Sequence, residues 1–285
     1  MTLLIVDSYF MFHRARSGFD KGEFPVVFNF FRGLKALVDL HSPCKLVLVL
    51  EGEPKARFAM MPEYKQTRIV DPNIEPEKHA KLVDFHRQKD EIINILRKMP
   101  VMLIRHPDFE CDDIIADLAV HTIDEIAIIA SGDSDFIQLL GPAHPRIQLY
   151  HPIRKEFVSA SSYDYVTWKA LRGDGSDNIS GIPGIGDKTA EKLVLGGQND
   201  LDVFLNEVPS RRDRFIRNLE MIRFHELSGD DRGNVELMGG FDAQWSEVES
   251  DFLRMGFNSF FKGHYFANFQ QTFHKSKALT ECVKS

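Results

Sequence analysis

The sequence predicts an α/β fold, with a mostly parallel central sheet flanked by helices over residues 1–158 and a helical region over 159–285. Three observations predict it. Short runs in the first part are almost entirely apolar, segments of helical period alternate with them, and strand-like runs cease after Ser159. An all-apolar run marks a strand buried on both faces, as in a parallel sheet covered by helices. Alternation with helices gives the doubly wound arrangement.

Strands are expected at Leu3-Leu4-Ile5-Val6, Leu46-Val47-Leu48-Val49-Leu50, Val101-Met102-Leu103-Ile104, Ile126-Ala127-Ile128-Ile129-Ala130 and, less cleanly, Ile147-Gln148-Leu149-Tyr150. Between them Val27, Phe30, Phe31, Leu34, Leu37 and Val38 recur at helical spacing, as do Leu82, Phe85, Ile92, Leu96 and Met99, and then Ile114, Ile115, Leu118 and Ala119. Beyond Ser159, helices are expected at Tyr163 to Leu171, Leu201 to Val208 and Arg212 to Leu227. The tail is rich in phenylalanine (Phe241, Phe252, Phe257, Phe260, Phe261, Phe266, Phe269) and holds Trp245, which reads as a segment folding back onto the body.

Acidic residues fall where the strands end. Asp7 follows the first run, Glu51 the second, Glu110, Asp112 and Asp113 come after the third, and Asp133 and Asp135 after the fourth. In an open α/β sheet the ligand site lies beyond the carboxyl ends of the strands. Any one of these acids taken singly reads more readily as a helix N-cap. Four strand ends delivering carboxylates together read as a cluster that needs cations, and oxygen-only donors suit Mg²⁺ or Mn²⁺.

From Glu51 to Glu77 the text is proline-punctuated, with Lys55, Arg57, Lys65 and Arg68 interleaved with Phe58 and Tyr64. Two readings stand: a solvated linker, or a cationic arm over the acidic site, around 52–77, placing Lys65 and Arg68 near a phosphate and Tyr64 where a base could stack. Its position after a carboxylate-bearing strand favours the arm.

A further acidic pair, Asp174 and Asp177, lies three apart, a spacing that shares one face of a helical turn. Ile182-Pro183-Gly184-Ile185-Gly186 follows and opens a helix near Asp187 that carries Lys188 and Lys192. By itself this stretch is equally an Asx-capped surface turn or a phosphate cradle at a helix N-terminus. Arg211, Arg212, Arg214, Arg217 and Arg223 form the densest basic patch, readable as a solvated helix face or as a phosphate-binding surface.

The chain has 285 residues and a formal charge of −7, which on its face argues against nucleic acid unless the acidic excess is a cation-binding cluster. Its three cysteines, Cys44, Cys111 and Cys282, show no metal-ligand spacing, so free thiols in a reducing compartment are expected and zinc is not. No run approaches a membrane span and the N-terminus lacks a basic leader, so a soluble, cytoplasmic protein is expected.

These residues together resemble the 5′ nucleases, a family that includes bacteriophage 5′-3′ exonucleases, flap endonucleases and the 5′-nuclease domain of bacterial DNA polymerase I. LLIVD is similar to the family's first-aspartate strand, and LVLEG with Arg57, Pro62-Glu63-Tyr64-Lys65 and Arg68 to its arch-entry motif. FECDDIIADLA, SGDSDFIQLL and GDGSDNISGIPGIGDKTAEKL resemble its Glu-x-Asp-Asp helix, its Gly-Asp-x-Asp strand end and its helix-three-turn-helix DNA clamp, here about 173–195. The sequence departs from the pattern at Glu51, where aspartate is usual, at Ser8, where glycine is frequent, and at Cys111, where a small residue is usual. The spacing from Glu51 to Arg57 is also one residue short.

The resemblance implies a PIN-like nuclease core that hydrolyses DNA phosphodiester bonds with two or more Mg²⁺ ions, Mn²⁺ substituting. Asp7, Glu51, Glu110, Asp112 and Asp113 would form the tighter metal pocket, and Asp133, Asp135, Asp174 and Asp177 a second. Lys65 and Arg68 would act on the scissile phosphate together with the Asp7 and Asp133 ligands, while Tyr64 would stack a base. Arg57, Gly184, Gly186, Lys188, Lys192, Arg211 and Arg217 would contact DNA, with a K⁺ ion at the glycine-rich hairpin of 182–186. Implied substrates are DNA with 5′ single-stranded flaps or 5′ ends, and RNA/DNA hybrids, cut by a monomer in a bacterial cell or phage-infected host. A catalytically inactive DNA-binding relative and a PIN-like ribonuclease are the competing readings.

Overall fold

The computed structural model describes residues 2–68, 75–122, 125–239 and 243–274. Chain order runs β1 (Thr2–Asp7), α1 (Ser8–Arg16), α2 (Pro25–His41), β2 (Lys45–Leu50), α3 (Lys55–Met60), α4 (Pro76–Leu96), β3 (Met102–Arg105), α5 (Cys111–His121), β4 (Ile126–Ala130), β5 (Ile147–His151) and β6 (Glu156–Val158). It continues through α6 (Tyr165–Arg172), β7 (Gly173–Asp174), β8 (Ile179–Ser180), α7 (Asp187–Leu195), α8 (Gln198–Asn206), α9 (Pro209–Ile222), α10 (Gly229–Gly233), β9 (Glu236–Gly239), α11 (Trp245–Arg254) and α12 (Tyr265–His274).

The main sheet has the order β6-β5-β4-β1-β2-β3-β9. Its five inner strands are parallel, with Leu4 opposite Leu46 on one side and Ile128 on the other. Both edges, β6 and β9, are antiparallel. All five runs are therefore strands; four are apolar throughout, as burial on both faces requires, and in the fifth Gln148 is polar and exposed. Alternation still sorts their side chains. Leu4, Val6, Leu46 and Leu48 join one core with α1, α2, α4, α11 and α12, and Leu3, Ile5, Val47 and Val49 join a second with α5.

Pro25 at the first turn of α2 fixes the entry angle, and the helix buries Val27, Phe30, Phe31, Leu34, Leu37 and Val38. Phe31 sits against Phe252 and Phe269, with ring centroids 5.2 and 6.3 Å apart. Each such phenylalanine contributes about 1.5–3 kcal/mol by leaving water. The phenylalanine-rich tail thus closes the α2 face. Phe241 and Cys282 lie outside the described residues.

A third core belongs to α6–α9 and includes Ala170, Leu171, Ile182, Ala190, Leu201, Phe215 and Met221. Met61 and Tyr64 are part of it. The segment expected as an arm at 52–77 is therefore pinned to the helical region: its described residues form α3, a single 3-10 turn, Gln66–Arg68, and the start of α4 at Pro76, and residues 69–74 lie outside the described ones.

The expected helices beyond Ser159 form with shifted ends, as α6, α8 and α9. Periodicity did not reveal α1, β6 or β9. The edge strand β9 is half exposed, with Glu236 and Leu237 at the surface, so it lacks a buried-strand pattern. No described helix is long and apolar enough to cross a membrane.

Candidate metal centre and nucleic-acid interface

The carboxyl ends of β1, β2 and β4 meet the N-terminus of α5 and the turn between β7 and β8. Asp7, Glu51, Glu110, Asp112, Asp133, Asp135, Asp174 and Asp177 all line one cleft of ≈ 240 Å³, with Tyr64, Lys65, Arg68 and Lys169 on its walls. Close backbone approach makes room for it. A Cβ at Gly52, directly after Glu51, would fall 1.9 Å from the His106 carbonyl oxygen. One at Gly132, before Asp133, would fall 2.2 Å from the Phe10 ring.

The strand-end acids meet neutral donors. Asp7 caps α1 by accepting from Phe10 N at 2.9 Å and accepts from Ser131 Oγ at 2.6 Å. Glu51 accepts from Cys111 N at 3.3 Å, Asp112 from the Cys111 thiol at 3.4 Å and Asp133 from Asp135 N at 2.8 Å. Burial pushes the Asp7 carboxyl up to about 7, outweighing its two hydrogen bonds. Asp112 is raised well above the usual carboxylate range by burial and by the charges of Asp7, Asp133 and Glu51, and burial raises Glu51 too. These groups have more negative charge than their surroundings can hold.

The second half is compensated from within. Asp135, Asp174 and Asp177 each offer an oxygen, all within 4.8 Å of one another, the one such trio among the described residues. Lys169 bridges two of them, Asp135 at very short range and Asp174 at 2.6 Å, and Arg68 pairs with Asp177 at 2.6 Å. Burial alone would raise Asp174, but Lys169 and the Ser176 hydrogen bonds bring it down to about 2. Asp135 stays at about 6 because burial outweighs the same lysine.

The carboxylates of Asp174 and Asp177 converge, although not as successive turns of a helix. Asp174 ends β7 and caps a 3-10 turn, Gly175–Asp177, through Ser176 N at 2.9 Å. Three other expectations are corrected. Asp113 is wholly buried and does not line the cleft, with both oxygens bound by Arg57 at 2.6 and 2.8 Å and a third bond from His225 N. It is the anchor of the arm rather than a metal ligand. Arg57, expected on DNA, is itself buried, giving its remaining bonds to Glu110 and the carbonyls of Met221 and Arg223. Tyr64 is buried too: its hydroxyl donates to Glu110 at 3.0 Å and its ring packs in the third core, so no face is offered to a base.

Lys65 pairs with Glu110 at the cleft wall. In the hairpin, Gly184 has φ +81, a conformation only glycine adopts freely, and Gly186 precedes α7. Lys188 and Lys192 are exposed on that helix, four residues apart. The arginine patch is partly spent at home: Arg211 pairs with Glu207, Arg212 with Asp202, and Arg214 donates to the Gly181 carbonyl, while Arg217 is exposed.

Sequence reasoning missed Lys169 and Ser131. A lysine on a helix reads as solvated, and its only signal was a position amid the apolar residues of α6, five before Asp174. Ser131 was visible only as a small polar residue at a strand end.

The fold and cleft define a class of protein: a parallel α/β sheet that gathers carboxylates at its carboxyl edge beside a helical region bearing a glycine hairpin. A family model described as 5′-3′ exonuclease, N-terminal resolvase-like domain, matches residues 2–168, and the chain belongs to that family. It is 26% identical over 212 residues to a 5′-3′ exonuclease of Mycobacterium tuberculosis, covering 67% of this chain and 66% of that protein. With a thermostable DNA polymerase I of Thermus thermophilus it shares 30% over 240 residues, covering 77% of this chain and 27% of the polymerase. Its fold is shared with the bacteriophage T5 5′-exonuclease bound to zinc ions, at TM-score 0.69 and 19% identity over 90% of this chain and 99% of that one. The fold is also that of a T5 flap endonuclease variant in complex with DNA and metal ions, at TM-score 0.67 and 16% identity over 96% of this chain and 100% of that one.

Proposed function

We propose that the chain is a structure-specific 5′ nuclease, a 5′-3′ exonuclease and flap endonuclease that hydrolyses DNA phosphodiester bonds with divalent metal ions in replication and repair. The observation that carries this is the cleft, in which carboxylates from three strand ends, a helix N-terminus and the 174–177 turn face one another beside Lys65, Arg68 and Lys169.

The donor set fits hard cations. It is all oxygen, and the raised Asp7 and Asp112 mark a site short of positive charge, so Mg²⁺, or Mn²⁺ in its place, would be held by Asp7, Glu51, Glu110, Asp112 and Asp133, and a second ion by Asp135, Asp174 and Asp177. When bound, two such ions stabilise the attacking and leaving oxygens of an in-line displacement at phosphorus.

The chain's own residues do the rest. Lys65 and Arg68 now neutralise Glu110 and Asp177. A phosphate entering the cleft would exchange one anionic partner for another, leaving these cations beside the charge that develops at phosphorus. Ser131 is fully buried with its hydroxyl given to Asp7, which removes it as a nucleophile. Arg57 and Tyr64 fix Glu110 in place. The hairpin with Gly184, Gly186, Lys188 and Lys192, a K⁺ ion bound there, and Arg217 would hold duplex backbone away from the cut.

A labelled 5′-flap duplex with Mg²⁺ or Mn²⁺ tests the proposal. Short fragments ending in 3′-hydroxyl, with a 5′-phosphate on the remaining strand, are expected. Binding without cutting under either metal would make the chain a DNA-binding relative, and preference for matched RNA would make it a PIN-like ribonuclease.

A further inference from the structure

A second groove of ≈ 640 Å³ adjoins the carboxylate cleft and shares Asp133, Asp135 and Asp174 with it. Its other wall is one face of α6, where Tyr165, Trp168 and Arg172 stand at helical spacing. The Tyr165 and Trp168 rings lie 5.6 Å apart at 36°, and the Arg172 guanidinium sits 5.0 Å over the Trp168 ring.

This wall is fixed at both ends. The Tyr165 hydroxyl donates to Ser134 Oγ at 3.1 Å, directly after Asp133. At the other end Trp168 Nε1 donates to the Asp187 carbonyl at 3.1 Å, and Arg172 Nε donates to the Asp187 carboxylate at 2.5 Å. Asp187 opens the helix that follows the glycine hairpin. The rings thus pave the span between carboxylates and hairpin. Both are only half-buried: Trp168 rests on the third core and against Tyr163, 5.7 Å away, and both rings also line the open groove. A π-face held rigidly beside cations is the chemistry that binds nucleobases irrespective of sequence.

We propose that Tyr165 and Trp168 form a stacking site for a nucleobase, and that Arg172 lies beside it to meet the adjoining phosphate. Bases inside a duplex are covered by their neighbours, so the base that can use this site is the one left with an open face at a junction between single strand and duplex. The inference rests on the chain being a DNA nuclease and adds to it where the junction sits: on α6, between cutting centre and hairpin.

The chain has two tryptophans, so Trp245→Phe leaves Trp168 as the sole indole reporter. Titrating that protein, free of divalent metal, with a 5′-flap duplex should quench Trp168 emission. Abasic sites walked across the junction should identify one position whose loss abolishes quenching and weakens binding about 5- to 10-fold. In Trp168→Leu, or in Tyr165→Leu should the first variant misfold, that abasic position should cost nothing further. DNA that binds and is cut while emission stays unchanged and the abasic scan is flat overturns the stacking site alone. DNA that neither binds nor is cut overturns the nuclease reading, and the site with it.

Discussion

The two halves of the acidic cleft are built from the same side chains and differ in what neutralises them. At the strand ends Asp7, Glu51, Asp112 and Asp133 meet hydroxyl, thiol and backbone N–H donors, and Asp7 rises to about 7. Around the 174–177 turn, Lys169 and Arg68 supply the charge, and Asp174 falls to about 2. Apart from Glu110, which Arg57 and Lys65 already pair, the first half needs a cation from outside, while the second already has cations that an ion must displace. A list of acids at strand ends does not show this, because what separates the halves is the neighbour each carboxylate found on folding.

The largest expected effect tests whether both halves serve the chemistry. Asp133→Asn and Asp174→Asn should each lower flap cutting by at least about a hundredfold, with duplex binding largely intact, since lost charge stabilisation costs rate more than affinity. Near-normal turnover in both at physiological Mg²⁺ would remove the site. Next comes the anchor. Arg57→Ala leaves Asp113 charged and unpaired in the interior, which should cost about 3–5 kcal/mol, read as a fall in the urea midpoint. A small change would show that the arm is not held by this pair.

Lys169→Met sharpens the comparison further. Removing the internal cation should tighten the weaker of two Mn²⁺ affinities by about tenfold, a shift of about 1.4 kcal/mol, measured by calorimetry. Unchanged affinities would mean that the lysine and the ion do not compete. A further test lies in pH dependence without divalent metal. Asp7 binds its proton more tightly folded than unfolded, so its contribution favours the fold at low pH and is lost as pH rises from about 4 to about 7. Asp174 has the opposite sign: its contribution is full above about pH 4 and is lost as pH falls toward 2. Asp7→Asn should flatten the first slope and Asp174→Asn the second, in thermal melts across that range.

Much of the fold was legible because parallel strands buried on both faces leave unbroken apolar runs, and the cleft because sheet topology dictates where strand ends point. The remainder depended on partners distant in sequence. Arg57 and Asp113 read as a DNA contact and a ligand, since charge type is visible and the residue it faces is not. Tyr64 read as a base-stacking ring, yet its ring and Met61 complete an apolar core more than a hundred residues away in sequence. Lys169 read as an ordinary helix residue, and Asp135 and Asp174 give it its meaning. The edge strand β9 escaped because a strand paired on one side has no reason to be apolar throughout.

That edge strand also bears on how the protein is made. β9 pairs with β3, α11 and α12 cover α2, and Thr272 reaches back to Asp39 across 233 positions. At ordinary synthesis rates the apolar face of α2 would wait on the order of ten seconds or more for its cover. A ribosome-bound chain would therefore carry its acidic strand ends and its hairpin before its sheet is closed. Until residues 236–274 emerge, the α2 face stays open to water, and the carboxylate cleft stands on a sheet still missing one edge.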